Sequence, residues 1–127
     1  MSSCQFLGLA PQFVVTDVRA AAEYYRDKYG FEVLGYFFAD PPVYAIVRRG
    51  LTEIHFGKSD RDEIKTNEAV RKGLGTDAYI FVSDINALYE ELKERGAEIL
   101  EGPIKRVYDR TEITVRDLNG FKLVFGE

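Results

Sequence analysis

The stretch 13-FVVTDVRAAAEYYRDKYGFEVL-34 decides the fold, because it occurs again in altered form as 80-IFVSDINALYEELKERGAEIL-100. Each copy contains an apolar run, a Thr-Asp or Ser-Asp pair, a segment of helical periodicity, a glycine and a second apolar run. Asp17 corresponds to Asp84, and Gly30 corresponds to Gly96. The chain therefore contains a degenerate internal repeat, which predicts two similar structural modules.

Each helical segment carries signals for its beginning and its end. Thr16 or Asp17 can accept hydrogen bonds from the first helical turn, and Gly30 can adopt the left-handed conformation that ends a helix. The apolar positions that follow share one helical face, and they are Val18, Ala21, Ala22, Tyr25 and Tyr29. The second copy repeats this pattern with Ser83 or Asp84, Ile85, Leu88, Tyr89, Leu92 and Gly96.

Strand-like sequence follows each helix. We predict strands over 31–38, 43–48 and 51–56 in the first half, and over 97–100, 111–116 and 121–125 in the second, with 101–103 ending the 97–100 strand. The order βαβββ, present twice, predicts an α+β fold. We expect one domain over 1–127, with modules at about 9–57 and 77–127 and a polar connector, 58–76, that contains a short helix near 67–72.

Composition excludes several classes of protein. The 17 basic and 21 acidic residues give a net charge of −4, a poor match for nucleic acid, and no apolar run reaches the roughly 20 residues that cross a bilayer. One cysteine cannot form an internal disulfide. We expect a cytoplasmic protein, because residues 1–4 lack the charge and apolar run of a secretion signal. The chain has one histidine, His55, which leaves little room for a histidine-based metal site or catalytic triad.

The C-terminal run 108-YDRTEITVRDLNGFKLVFGE-127, together with the duplicated βαβββ order, resembles the vicinal oxygen chelate superfamily. That superfamily includes glyoxalase I, extradiol dioxygenases, fosfomycin-resistance enzymes and bleomycin-resistance proteins. The run is similar to the family pattern Y-G-x-R-E-F-x-V-x-D-P-D-G-N-x-L-x-F-G, which Tyr108, Glu112, Val115, Asp117, Gly120, Leu123, Phe125 and Gly126 match. Departures occur at Asp109, Thr111, Leu118, Asn119 and Phe121. The resemblance implies two curved, mixed sheets around a cleft that holds a metal or a small ligand.

Four strand positions supply the ligands in the metalloenzymes of this superfamily. The resemblance places Ala10, His55, Asp77 and Val124 at these positions, and two of these side chains cannot bind a metal. In a shifted register, Gln12, Glu53, His55 and Asp77 could surround a cation instead. We therefore expect no metal and no cofactor. A divalent-metal-dependent lyase, isomerase or dioxygenase of the glyoxalase type is the alternative, and no catalytic residue is assigned.

Aromatic residues are numerous, with 8 tyrosines and 9 phenylalanines. Strand alternation predicts Tyr36 and Phe38 on one face of their strand and Phe37 on the other. The profile resembles the bleomycin-resistance branch, whose members are small dimers without a catalytic metal that sequester a cationic glycopeptide.

We predict a homodimer that sequesters a hydrophobic or cationic aromatic compound, with antibiotic resistance by binding as its expected outcome. The candidate ligand-binding residues are Gln12, Tyr36, Phe38, Tyr44, His55, Asp77, Tyr108 and Glu112. A regulatory module that only uses the fold is a third hypothesis. The sequence does not distinguish modules paired within one chain from modules exchanged between two chains.

Overall fold

The computed structural model describes residues 3–127, which form two similar modules and a connector. Module one consists of β1 (Gln12–Val15), α1 (Val18–Tyr29), β2 (Glu32–Phe37), β3 (Tyr44–Arg49) and β4 (Thr52–Lys58). The connector carries the short helix α2 (Asn67–Val70). Module two consists of β5 (Ala78–Phe81), α3 (Ile85–Arg95), β6 (Glu98–Lys105), β7 (Thr111–Arg116) and β8 (Lys122–Gly126).

Each module forms one mixed, open sheet of four strands. The strand orders are β1-β4-β3-β2 and β5-β8-β7-β6, so the two sheets have the same topology. The first strand of each module runs parallel to the last, and the other neighbours are antiparallel. The predicted α+β fold of two βαβββ modules is confirmed.

The two long helices begin and end where the repeat indicates. Asp17 accepts a hydrogen bond from the amide of Ala20 at 3.0 Å, and Asp84 accepts one from Ala87 at the same distance. Gly30 and Gly96 end the helices in the left-handed conformation, at φ of 72° and 75°. The same local chemistry therefore builds the equivalent helix in each module.

One apolar core lies between the modules and includes side chains from both. Phe13 of β1 stacks on Phe121, with ring centroids 4.5 Å apart. The Tyr25 hydroxyl of α1 donates to the buried Asp117 carboxylate at 2.7 Å. Each sheet turns one set of alternating side chains toward this shared core, so its other set lies on the opposite face.

We call these opposite surfaces face one and face two. Face one carries Gln12, Val14, Phe37, Tyr44, Ile46, Glu53, His55 and Gly57. Face two carries Tyr79, Phe81, Glu112, Thr114, Lys122, Val124 and Gly126. The two faces are equivalent by topology, but they differ in exposure. The β7 and β8 residues of face two are buried, whereas those of β3 and β4 on face one are only half-buried.

The prediction for β6 is wrong, because this strand continues past residue 100 to Lys105. Its pairing with β7 shifts register between Ile99 and Glu101 and again between Glu101 and Ile104. Gly102, at φ of 105°, lies in the second irregularity and lets the strand resume beyond it. No helix in residues 3–127 has the length and apolar character that a membrane span requires.

Tyr36 and Phe37 lie on opposite faces of β2, as predicted, but the prediction that Tyr36 and Phe38 share a face is wrong. The pairing of β2 with β3 shifts register between Val33 and Gly35, which reverses the expected alternation for the rest of the strand. Tyr36 therefore pairs with the buried Ala45 and faces α1, where the Arg19 guanidinium lies 4.3 Å from its ring centroid. Phe37, and not the candidate ligand-binding residue Tyr36, lies on face one beside Tyr44.

Candidate functional site

A chain of hydrogen bonds joins four polar side chains on face one. The Gln12 amide donates to the Tyr44 hydroxyl at 3.2 Å, and this hydroxyl lies 2.7 Å from Nδ1 of His55. Nε2 of His55 lies 2.7 Å from Oε1 of Glu53. We call these four side chains the face-one relay. They meet because Gln12 pairs with His55 across β1 and β4, while Tyr44 lies beside them on β3.

With Glu53 ionised and His55 uncharged, one set of hydrogen-bond directions satisfies the relay. An ionised Glu53 can only accept, so Nε2 of His55 carries the proton that it donates. Nδ1 of the neutral imidazole is then an acceptor, and the Tyr44 hydroxyl donates to it. Both ring nitrogens of His55 are therefore engaged, and the phenol oxygen accepts from Gln12 while its proton points at an imidazole.

Aromatic rings stand beside the relay. Phe38 follows β2 with a positive φ of 82° and is 83% exposed. Its ring lies 5.8 Å from that of Tyr44 and 6.1 Å from that of Phe37, measured between centroids. Face one therefore offers an exposed aromatic surface, on which a planar compound can stack, next to the polar groups of the face-one relay.

A buried carboxylate occupies the equivalent position on face two. Glu112 accepts hydrogen bonds from the hydroxyls of Tyr79, at 2.7 Å, and Tyr108, and it pairs with Arg106 at 3.0 Å. Arg106 also pairs with Glu101. Burial alone would raise the pKa of Glu112, but the three donors outweigh it and hold that pKa below its ordinary value. Burial and the bond to Glu112 raise the pKa of Tyr79 to about 12.

The connector covers part of face two. A cavity of about 620 Å³ lies there, and its wall includes Gly73, Leu74 and Thr76 of the connector. Glu68 of α2 fastens this segment to the sheet, because it pairs with Lys122 at 2.9 Å and Arg116 at 3.1 Å. Face two is thus a partly closed pocket with a saturated carboxylate beneath it.

Comparison with known proteins identifies the family that has this architecture. The family model of the glyoxalase/bleomycin resistance protein/dioxygenase superfamily matches residues 9–125. The chain belongs to this superfamily.

Solved structures of the superfamily's fold resemble the chain over almost its full length. One is a bleomycin-binding protein from Streptomyces verticillus complexed with copper(II)-bleomycin, at 25% identity and a TM-score of 0.65, with 96% of each chain covered. TioX from Micromonospora sp. ML1 has 18% identity and a TM-score of 0.73, covering 94% of this chain and 96% of its own. A glyoxalase family protein from Enterococcus faecalis has 20% identity and a TM-score of 0.69, with both chains fully covered. No curated protein sequence matches the chain.

The four positions that supply metal ligands in the superfamily's metalloenzymes do not fit a divalent cation here. Ala10 and Val124 offer no donor atom, and both ring nitrogens of His55 are engaged in the relay. The two carboxylate oxygens of Asp77 accept from the backbone amides of Asn67 and Lys122, each at 2.9 Å. Within residues 3–127, no group of three His, Cys, Asp or Glu side chains lies close enough together to hold a metal ion.

The structure divides the predicted ligand-binding residues of this superfamily member into separate groups. Gln12, Tyr44 and His55 meet on face one beside Phe38, while Tyr108 and Glu112 meet on face two. Tyr36 lies on the core side of β2, and the Asp77 side chain anchors the connector.

Sequence analysis missed Tyr79 and Arg106, which complete the Glu112 cluster. The repeat could have revealed Tyr79, because this residue corresponds to Gln12 in the second copy. Arg106 gave no comparable signal, since it lies beyond the predicted end of β6.

Proposed function

We propose that this protein binds and sequesters a small hydrophobic or cationic aromatic compound without a metal, and that face one is the binding surface. The exposed ring of Phe38, beside Phe37 and the face-one relay, is the observation that carries this proposal. Planar ligands gain by stacking on such rings. The Glu53 carboxylate, 38% exposed, favours a ligand with positive charge.

A relative supports the choice of ligand class. The bleomycin-binding protein, at 25% identity, is described in complex with copper(II)-bleomycin. Antibiotic resistance by binding is the physiological outcome that we propose on this basis. His55 and Asp77 are already engaged in hydrogen bonds within the protein, and this supports a binding site without a metal.

We further propose that the protein acts as a homodimer in the cytoplasm, with no nucleic-acid or membrane partner. Phe6, Leu7 and Leu9 are 97%, 94% and 87% exposed, which leaves three apolar side chains that a second copy could cover. Light scattering after gel filtration should give twice the monomer mass at micromolar concentration. Replacing Phe6 and Leu7 by serine should give a monomer, and a monomeric unmodified protein would contradict this proposal.

Calorimetry and thermal-shift measurements with metal-free bleomycin, in the presence of EDTA, test the binding proposal. We expect saturable binding that Phe38→Ala weakens at least several-fold. Phe81→Ala is the matched control, because Phe81 is also an exposed aromatic residue, 68% exposed, but lies on face two. Binding that needs a divalent metal, or strong stabilisation by nickel, zinc or manganese alone, would support the metal-dependent alternative instead.

A further inference from the structure

We propose that Tyr44 is a catalytic acid–base residue, activated by His55 and Glu53, which exchanges a proton with the compound bound on face one. The substrate class is an aromatic compound with a weakly acidic hydrogen, on a hydroxyl group or beside a carbonyl group. This inference takes its substrate from the proposed binding function, but the activation of Tyr44 rests on the geometry of the face-one relay alone.

The order of groups in the relay is that of a proton-transfer device. A carboxylate (Glu53), an imidazole (His55) and a hydroxyl (Tyr44) follow one another, and each link measures 2.7 Å. The carboxylate fixes the imidazole with its bare nitrogen toward the hydroxyl, as in catalytic triads, where an imidazole takes a proton from a hydroxyl group. Here the hydroxyl is phenolic. A phenol is a stronger acid than the serine hydroxyl of a triad, so its proton passes to an imidazole more readily.

The chemical step balances within the relay. As the Tyr44 proton moves to Nδ1 of His55, the Tyr44 oxygen takes a proton from the substrate, which becomes an anion. The Glu53 carboxylate stabilises the imidazolium that forms. The Gln12 amide donates to the Tyr44 oxygen and stabilises the negative charge that develops there. The reverse transfer returns a proton to the same atom of the substrate or to another, so no oxidant or further reactant takes part.

Tyr79 and Tyr108 show why Tyr44 differs from other tyrosines of the chain. Their hydroxyls donate to the Glu112 carboxylate, whose negative charge opposes loss of a phenolic proton. The partner of Tyr44 is an imidazole nitrogen, which carries no fixed negative charge and can take a proton up. The relay is also reachable, because Tyr44, His55 and Glu53 are not fully buried.

Labelling with an aryl sulfonyl fluoride, which forms an ester with phenolate oxygens, tests the activation of Tyr44 in the full chain without ligand. Peptide mass spectrometry should show labelling at Tyr44 about tenfold faster than at Tyr36 and Tyr89, which are also half-buried. His55→Asn should reduce the Tyr44 rate to that of these references and leave the Tyr108 rate unchanged. A Tyr44 rate equal to the references, or unaffected by His55→Asn, would overturn the proposal.

Glu53→Gln keeps the test decisive if His55→Asn does not fold. Glutamine can still accept from Nε2 but lacks the charge that stabilises an imidazolium, so the Tyr44 rate should fall several-fold. Nitrogen NMR of the His55 ring should show a proton on Nε2, with the Nδ1 signal shifting in Tyr44→Phe. A proton on Nδ1 would exclude the relay. Failure to bind bleomycin would refute the proposed ligand but leave these results unchanged, so the two proposals fail separately.

Discussion

Face one and face two occupy equivalent positions in the two modules but place opposite kinds of group at their centres. Tyr44 pairs with Gly57 across β3 and β4, and Glu112 pairs with Gly126 across β7 and β8. On face one, the central hydroxyl belongs to a half-buried relay beside exposed rings. On face two, the central carboxylate is 3% exposed and saturated by three donors.

This contrast shows that the same sheet topology can hold two different polar arrangements. A charged group on a sheet can be buried only if donors surround it, so Glu112 requires Arg106 and two tyrosines, which occupy both of its oxygens. An uncharged hydroxyl needs fewer partners, so the surface around Tyr44 stays accessible. We infer that face two mainly stabilises the fold, whereas face one is available for ligand chemistry.

Removal of the charge from Glu112 should have the largest effect on stability. Glu112→Gln leaves Arg106 with Glu101 as its carboxylate partner and replaces two accepting oxygens by one, so that the three donors are no longer all satisfied, and we expect a loss of about 3 kcal/mol. Tyr44→Phe at the equivalent position should cost only about 1 kcal/mol. Urea denaturation of both variants measures the difference. Equal losses would contradict the distinction between a stabilising face and an accessible face.

The glycines opposite these residues form a second matched pair. A Cβ at Gly126 would lie 2.0 Å from the Tyr79 hydroxyl, whereas one at Gly57 would lie 3.5 Å from the Gln12 amide. Gly126→Ala should displace Tyr79 from Glu112 and lower the free energy of unfolding by about 1–2 kcal/mol. Gly57→Ala should change it by less than about 0.5 kcal/mol. Similar values in thermal denaturation would show that face two is not tightly packed.

The covering of face two depends on Glu68. Glu68→Gln weakens its pairs with Lys122 and Arg116, so amide hydrogen exchange in the connector should become several-fold faster while exchange in β1 and β4 stays constant. Glu63→Gln is the control, because Glu63 lies in the same connector but its ion pairs are with the exposed Arg61 and Lys65. Unchanged exchange in Glu68→Gln would mean that other contacts hold the connector in place.

The pH dependence of stability sharpens the comparison further. The pKa of Glu112 is lower in the folded protein than its ordinary value of 4.5, so its charge stabilises the fold above that value. This contribution is lost as the pH falls through the folded pKa. The stability difference between the unmodified protein and Glu112→Gln should therefore shrink as the pH falls below about 4.5. A difference that stays constant down to acid denaturation would contradict this assignment.

The repeat predicts the helices and the strand order because caps and apolar periodicity are local signals. Asp17, Gly30, Asp84 and Gly96 each act within one helical turn, so the sequence alone indicates their roles. The face of Tyr36 could not be predicted, because a register shift at Val33 to Gly35 depends on pairing with β3.

The candidate site was only partly predictable for a related reason. Strand alternation places Gln12 and His55 on one face, yet the bond from Tyr44 to His55 depends on the register between β3 and β4. The two carboxylate bonds of Asp77 lie in the contact between the connector and β8, which no periodicity reveals. Long-range side-chain contacts therefore account for most of the differences between the site predicted from the sequence and the site in the structure.

Nitrogen NMR of the His55 ring during a zinc titration tests the central claim most directly, because the claim is that His55 serves an organic relay on face one and not a metal. The account predicts that both ring nitrogens keep their hydrogen-bonded signals, with Nε2 protonated, as zinc is added in excess. A saturable change of the His55 signals at one equivalent of zinc, accompanied by changes at Glu53 or Asp77, would contradict it.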